Sequence, residues 1–431
     1  MDFSTLFLFL GFPLCGMDFR SLPDDDYQAV LFVGCERGEI DLVKKAMRSS
    51  RVDFSVRNEA GLTPLLCALY GFKSAHDTHE PEKCQRYVDV VNYLVRHNVS
   101  VFTPGDHGMT PLMVAGSIGN PDLLGSMLSL VSPRDSEHKD SLNARCSSGR
   151  SALLYAVEAK SHSCARLLRC CNAATGSKAS DHGHDELMTA LLKADMPLIE
   201  LLLESPYHFG ADRKSKTIFH HAAELDKPFV IEKLGCYKKD AACKHALNAL
   251  DHEGYTPMHR AVMNKSLYSV QELARLGAFL DPEDTYGLTP LHHAVALCLS
   301  NFIDYFMHEK SLFTKTDKQG NTPFMNAVLH DQRDLLLMNR NNPHLGLFKV
   351  NKDGDSPLHL AVATKNSSMI WCLIYYYAIH IGQIAYEAKQ NRLKSLLLVR
   401  NKHGQSVLDV ASLPSYKVCY DRLKELGLID K

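Results

Sequence analysis

With 431 residues, 45% hydrophobic and 23% charged, the sequence has the composition of an ordinary folded chain, long enough for two or three globular domains or one extended repeat array. Lys and Arg number 48 against 49 Asp and Glu, a net charge of -1, which gives no electrostatic reason to expect nucleic acid or an anionic membrane as partner. Thirteen Cys is an odd count, and they fall in apolar helical patterns rather than in a disulfide framework, so Cys35, Cys67, Cys164, Cys298 and Cys372 read as small buried hydrophobes of a reducing compartment.

Residues 1–26 read as an N-terminal extension, open to disorder. Its run from Phe3 to Leu14 is apolar but lacks a basic start, with Asp2 where a signal peptide would carry positive charge. Met17-Asp18-Phe19 repeats Met1-Asp2-Phe3, which marks Met17 as a second candidate start. From residue 27 onward the chain repeats itself. An opening half-unit, Gly34 to Leu42, precedes frames centred on Gly61, Gly108, Gly149, Gly183, Ser215, Gly254, Gly287, Gly320, Gly354 and Gly404. In each of these frames the seventh residue onward is Ala: Ala68, Ala115, Ala156, Ala190, Ala222, Ala261, Ala294, Ala327, Ala361 and Ala411.

Each position has a physical reason. Asp or Asn three before the Gly favours a tight turn, and the Gly supplies a left-handed backbone that a Cβ resists. Thr or Ser then caps a helix, as Thr256 and Thr289 do. Pro257, Pro290 and Pro357 fit the first helical turn, where a missing N–H costs nothing. The Ala is small where neighbouring helices pack closely. A second apolar stripe follows, as in Val270, Leu273 and Leu276, so the unit is turn, helix, turn, helix.

Gly-x-Thr-Pro-Leu-His-x-Ala at a period of 33 residues resembles the ankyrin-repeat family, over about residues 27–431. The resemblance implies an all-α solenoid of about eleven helix-turn-helix units joined by hairpin-like turns. It also implies that His259, His292 and His359 bond the backbone of the neighbouring turn. The match is strongest at Gly254, Gly287 and Gly354. In the frames of Gly149, Gly183 and Ser215, Ser151-Ala152, Asp185-Glu186 and Thr217-Ile218 replace Thr-Pro, so capping is expected to be partly lost there. The last repeat, with Lys417, Asp421, Arg422, Lys424 and Glu425, reads as a polar terminal cap.

Three glycine steps run long. The first carries what reads as a polar loop over 74–86, the second an insertion over 132–141, and the last an added helix's worth of chain over 375–394. Asn366 to Tyr386 has no Asp, Glu, Lys or Arg and is long enough to span a bilayer, but its Ser, Asn, His and Gln and its place in a repeat favour a buried solenoid helix.

The family resemblance implies partners on the turn tips and first-helix faces. In this chain those positions give His252, Tyr255, Met263, Tyr286, Leu288 and Lys318, with Arg213 and Lys214 on the Ser215 tip. Aromatic residues are the better anchors. No P-loop, dinucleotide fingerprint, kinase set or nucleophile elbow occurs. Cys170-Cys171 lacks a second pair at zinc-ligand spacing, and His182-Gly-His184, beside Asp181 and Asp185, lacks a closed second shell. The expectation is therefore a cytoplasmic, non-enzymatic adaptor that binds one or more proteins, with no cofactor and no metal; nuclear entry stays open. Alternatives are a substrate-targeting subunit of a larger enzyme complex, such as a ubiquitin ligase, and a membrane-associated repeat protein.

Overall fold

The computed structural model describes residues 27–49, 52–131, 136–174, 183–204, 207, 209–237, 239–333, 348–380, 386–426 and 428. The apolar run Phe3–Leu14, the second Met17 start and the pair Asp181-His182 lie outside them. Among the described residues the chain is helical, and the only strand-like pairing is two isolated bridges, Ala211 with Thr217 and Arg400 with Ser406, across turns. It divides into two compact units, covering described residues 27–174 and 183–428.

In the first unit α1 (Tyr27–Arg37), α3 (Pro64–Asp77), α5 (Pro111–Ile118) and α8 (Ala152–Glu158) pack in sequence as one row. A second row stacks α2 (Ile40–Ala46), α4 (Pro81–Arg96), α6 (Pro121–Leu128) and α9 (His162–Cys170). The insertion over 132–141 includes helix α7 (Ser136–Leu142), while 132–135 lie outside the described residues. The expected polar loop over 74–86 is not a loop. The extra residues lengthen both helices of that repeat, leaving only Thr78–Glu80 between α3 and α4. Pro81 in the first turn of α4 and the Thr78 hydroxyl bonded to the Ser74 carbonyl at 3.0 Å show why: local helix start and stop signals absorb the inserted chain.

The second unit repeats the plan. Its first row runs α10 (Glu186–Leu192), α12 (Ile218–Glu224), α15 (Pro257–Met263), α17 (Pro290–Ala296), α19 (Pro323–Leu329), α20 (Pro357–Ala363) and α23 (Val407–Ala411). The second helices are α11 (Met196–Leu203), α13 (Pro228–Leu234), α16 (Leu267–Leu276), α18 (Ser300–Phe306), α21 (Ser367–His380) and α24 (Lys417–Glu425). Extra helices α14 (Ala241–Asn248) and α22 (Tyr386–Leu397) occupy the long steps. Helix α21 spans 14 residues, and no helix among the described residues is long and apolar enough to cross a membrane.

All ten repeat alanines are fully buried. This is where adjacent first helices approach, and a methyl is the largest group that a close-packed contact admits without displacement. Val270 and Leu273 are fully buried and Leu276 nearly so. Two expectations need correction. Cys298 is exposed, because it sits in the left-handed turn after α17 (φ +56°) rather than on a packed helix face. Two of the three degenerate frames also keep their side-chain caps: Ser151 accepts from the Leu154 amide at 3.1 Å, and the Asp185 carboxylate from the Met188 amide at 2.8 Å. What these two lose is the proline at the first helical position, whereas the Thr217 hydroxyl of the third bonds the Ala246 carbonyl instead.

At Gly287 (φ +75°) an added Cβ would stand 2.9 Å from the Lys318 backbone nitrogen of the next turn. Ser215 holds the same left-handed conformation (φ +59°) with a side chain. Ser215→Gly should therefore stabilise the second unit by about 0.5–1 kcal/mol, and Gly287→Val should destabilise it by more than the ~1–2 kcal/mol of the backbone strain alone. Urea midpoints of the full chain check both; a lower midpoint for Ser215→Gly would contradict the strain assigned to that turn.

Candidate protein-binding surface

The described turns of the second unit are each built by one Asp or Asn side chain. Asp251 Oδ1 accepts the amides of Glu253 (2.9 Å) and Tyr255 (3.0 Å), and Asp284 Oδ1 those of Tyr286 and Leu288, both at 2.8 Å. Asp317 and Asn351 repeat the arrangement. The second oxygen reaches nine residues on to the first helix: Asp251 Oδ2 to Arg260 Nε at 2.8 Å, Asp284 Oδ2 to His293 Nε2 at 2.9 Å, Asp212 Oδ2 to His221 Nε2 at 3.0 Å. Burial would raise the Asp212 carboxyl, but its bonds to His221 and to the Lys216 and Lys214 amides hold it down to about 2.

Successive turns are then stapled by imidazoles. His259 Nε2 lies 3.0 Å from the Leu288 carbonyl of the next turn, while its Nδ1 faces the Thr256 amide (3.3 Å) and hydroxyl (2.9 Å). A carbonyl only accepts, so Nε2 carries the proton and Nδ1 accepts from Thr256. His220, His292 and His359 make the same link to Tyr255, Asn321 and Gln405 carbonyls. Backbone bonds add a ladder along the tips: His252 N–H to Lys214 O (2.9 Å), Lys318 N–H to Tyr286 O (3.1 Å), Lys352 N–H to Gln319 O (3.0 Å) and Lys402 N–H to Asp353 O (2.8 Å).

This ladder gathers most of the sequence-selected residues on one edge. Arg213, Lys214, His252, Tyr286 and Lys318 are exposed there, and Tyr286 leaves 63% of its surface open. Tyr255 is half-buried and held in place: the Arg260 guanidinium sits 4.8 Å over its ring, and His293 meets it edge-on at 5.7 Å. Leu288 is half-buried just behind the edge. Met263 ends α15, about 10 Å along the helix from the tip, and does not join the cluster. Gly254, Gly287, Gly320 and Gly354 all take positive φ at the turns, and Pro257, Pro290 and Pro357 open their helices.

Sequence reasoning passed over Lys352 and Lys402. They are exposed at the same turn position as Lys318, so basic side chains recur along the edge, with Glu253 and Asp353 among them. The signal was present as a lysine two before Gly320, Gly354 and Gly404. Tyr268 and Phe279, 73% and 62% exposed, lie with the second helix α16 and its exit and were also not singled out.

Residues 234–312 match the family model described as Ankyrin repeats (3 copies), the stretch that contains α15 to α18. The chain carries ankyrin repeats. A protein of Rickettsia felis named as an ankyrin repeat protein is 29% identical over 230 residues, covering 51% of this chain and 56% of that protein. The chain thus spans about half the length of the curated relative it matches. Ankyrin repeats are protein–protein interaction modules, and the repeats here present a continuous edge of turns in the second unit.

The staples make stability depend on pH. Burial drives His220, His259 and His292 from 6.5 down to about 4, against the smaller upward pull of their carbonyl partners. The unfolded chain therefore binds more protons between pH 6.5 and 4, and stability falls as pH is lowered through that window, by up to about 3 kcal/mol per histidine. Urea unfolding of the full chain at pH 7, 5.5 and 4.5 should show a steadily lower midpoint for the second unit, and a flat profile would mean that these rings are not held neutral.

Proposed function

We propose that this chain is a non-enzymatic adaptor that holds a partner protein against the turn edge of its second unit, with Tyr286 and Tyr255 as anchors. The observation that carries this reading is the aromatic pair on adjacent tips. Tyr286 is open to solvent, and Tyr255 is fixed beforehand by Arg260 and His293, so docking against it costs little side-chain entropy. Lys214, Lys318, Lys352 and Lys402 along the same edge favour a partner that presents acidic groups around an apolar contact. The partner is a protein surface rather than a small molecule, since the tips form an edge rather than a closed cavity.

A reducing compartment such as the cytoplasm fits the thiols. Burial pushes Cys67 up to about 12 and Cys243 to about 11, which makes them packing groups rather than reactive ones, while Cys170, Cys236 and Cys298 are exposed as free thiols.

Affinity capture from native lysate should compare wild type with the Tyr255→Ala, Tyr286→Ala double variant. A partner specific to this edge should lose at least about 2 kcal/mol of binding, roughly 30-fold, with helical content unchanged. Equal recovery by both proteins would remove the edge assignment and move attention to Tyr268 and Phe279.

A further inference from the structure

We propose that His184, His221 and Asp212 form a binding site for a borderline divalent cation such as zinc, clipping the turn of one repeat to the first helix of the next. His184 Nε2 lies 3.4 Å and His221 Nε2 3.0 Å from the same oxygen, Asp212 Oδ2, and the three atoms all fall within 4.8 Å of one another. Ligand atoms each about 2.0–2.1 Å from a tetrahedral zinc stand about 3.3–3.4 Å apart, so small side-chain adjustments close the set. Two imidazoles and a carboxylate are the donors such an ion prefers, and three protein ligands leave a coordination position open.

The carboxylate is already oriented. Its other oxygen accepts the Lys214 and Lys216 amides, both at 2.8 Å, which aims Oδ2 at the two rings. The imidazoles meet edge to face with centroids 5.4 Å apart. Asp212 and His221 side chains are almost fully buried, whereas His184 keeps 24% of its side chain exposed, which provides an entry path. The exposed Arg213 and Lys214 lie on the same tip, and the solvent around them weakens their opposition to a cation.

The two histidines occupy positions that the repeat brings together elsewhere, and what sets them apart is their chemistry. At two other steps too the fold brings the residue after the turn glycine against the sixth residue of the next frame: Met109 against Tyr155 at 3.3 Å, and Tyr255 against His293 at 5.7 Å. Of these position pairs, only the Gly183 and Ser215 frames supply two histidines, and they do so over a turn aspartate. His259, Asp284 and His293 also lie within ligand distance of one another, but His259 Nε2 donates to the Leu288 carbonyl, and a cation there would strand a repeat staple. His221 is not the staple of its repeat, because His220 takes that role. The sequence pairing of His182 and His184 with Asp181 and Asp185 is thereby replaced; Asp181 and His182 lie outside the described residues, and Asp185 caps α10.

The test uses the full chain, reduced and stripped with a chelator, titrated with Zn2+ by equilibrium dialysis and with Co2+ by visible absorption. The expected result is one equivalent bound, with cobalt d–d bands and no thiolate charge-transfer band. His184→Gln should weaken binding at least about 10-fold, since losing a ligand costs no less than losing its supporting shell. His221→Asn should do the same, and it should fold because Asn326 fills that position in the Gly320 repeat. His293→Asn, in the other cluster, should bind as wild type does. Binding that survives His184→Gln, a thiolate band, or no binding by the wild-type chain would each reduce the cluster to a hydrogen-bonded triad and overturn the proposal.

Discussion

The second unit depends on a neutral imidazole placed between two repeats, donating from Nε2 to a carbonyl of the following turn while Nδ1 receives the cap of its own helix. A single repeat cannot bury its apolar face alone, and neighbours must supply both the core and the bond partners of the turn. The histidine meets both needs: it satisfies the Thr or Ser cap of one helix and a buried carbonyl of the next turn. Being buried, it does this only without charge.

Two other contacts work alongside it. The turn aspartate cages two amides with one oxygen and takes the first-helix Arg or His with the other, tying the tip to the helix behind it. The repeat alanine lets adjacent first helices close to packing distance. Where one of these devices is missing, another persists. The Gly320 frame has Met325 in place of the histidine, yet Thr322 still caps the Met325 amide at 3.3 Å. In the Gly404 frame Asp409 takes the ring's place and accepts from the Ser406 amide at 2.8 Å. The motif therefore tolerates substitution where a cap on the first helix persists.

The same framework sets what the surface can do. Tips tied by a backbone ladder hold their outward side chains at fixed spacing, so Tyr286, Lys318, Lys352 and Lys402 stand in a row without help from a globular core. Tyr255 shows how the second position of the turn is recruited as well: its ring is pinned by Arg260, which is itself held by Asp251 and by Glu224 at 3.3 Å. An aromatic ring fixed in advance, as Tyr255 is, costs little side-chain entropy to bury against another surface.

The helical repeat class was legible from the sequence because its determinants are local. Asp, Gly, Thr-Pro and Ala act within about ten residues of one another, and their offsets recur whatever lies between frames. The degenerate frames misled only where Pro was taken to stand for the cap, since Ser151 and Asp185 cap without it. Contacts between repeats were legible only where the family resemblance implied them, as for His259, His292 and His359. Their separations vary with insertion length, from 29 residues for His259 to Leu288, through 35 for His220 to Tyr255, to 46 for His359 to Gln405. Only the tertiary structure decided that Tyr255 packs under His293, that His184 meets Asp212 and His221, and that residues 74–86 extend two helices. Those outcomes depend on which frame positions stacking brings face to face, and only the folded stack shows which positions those are.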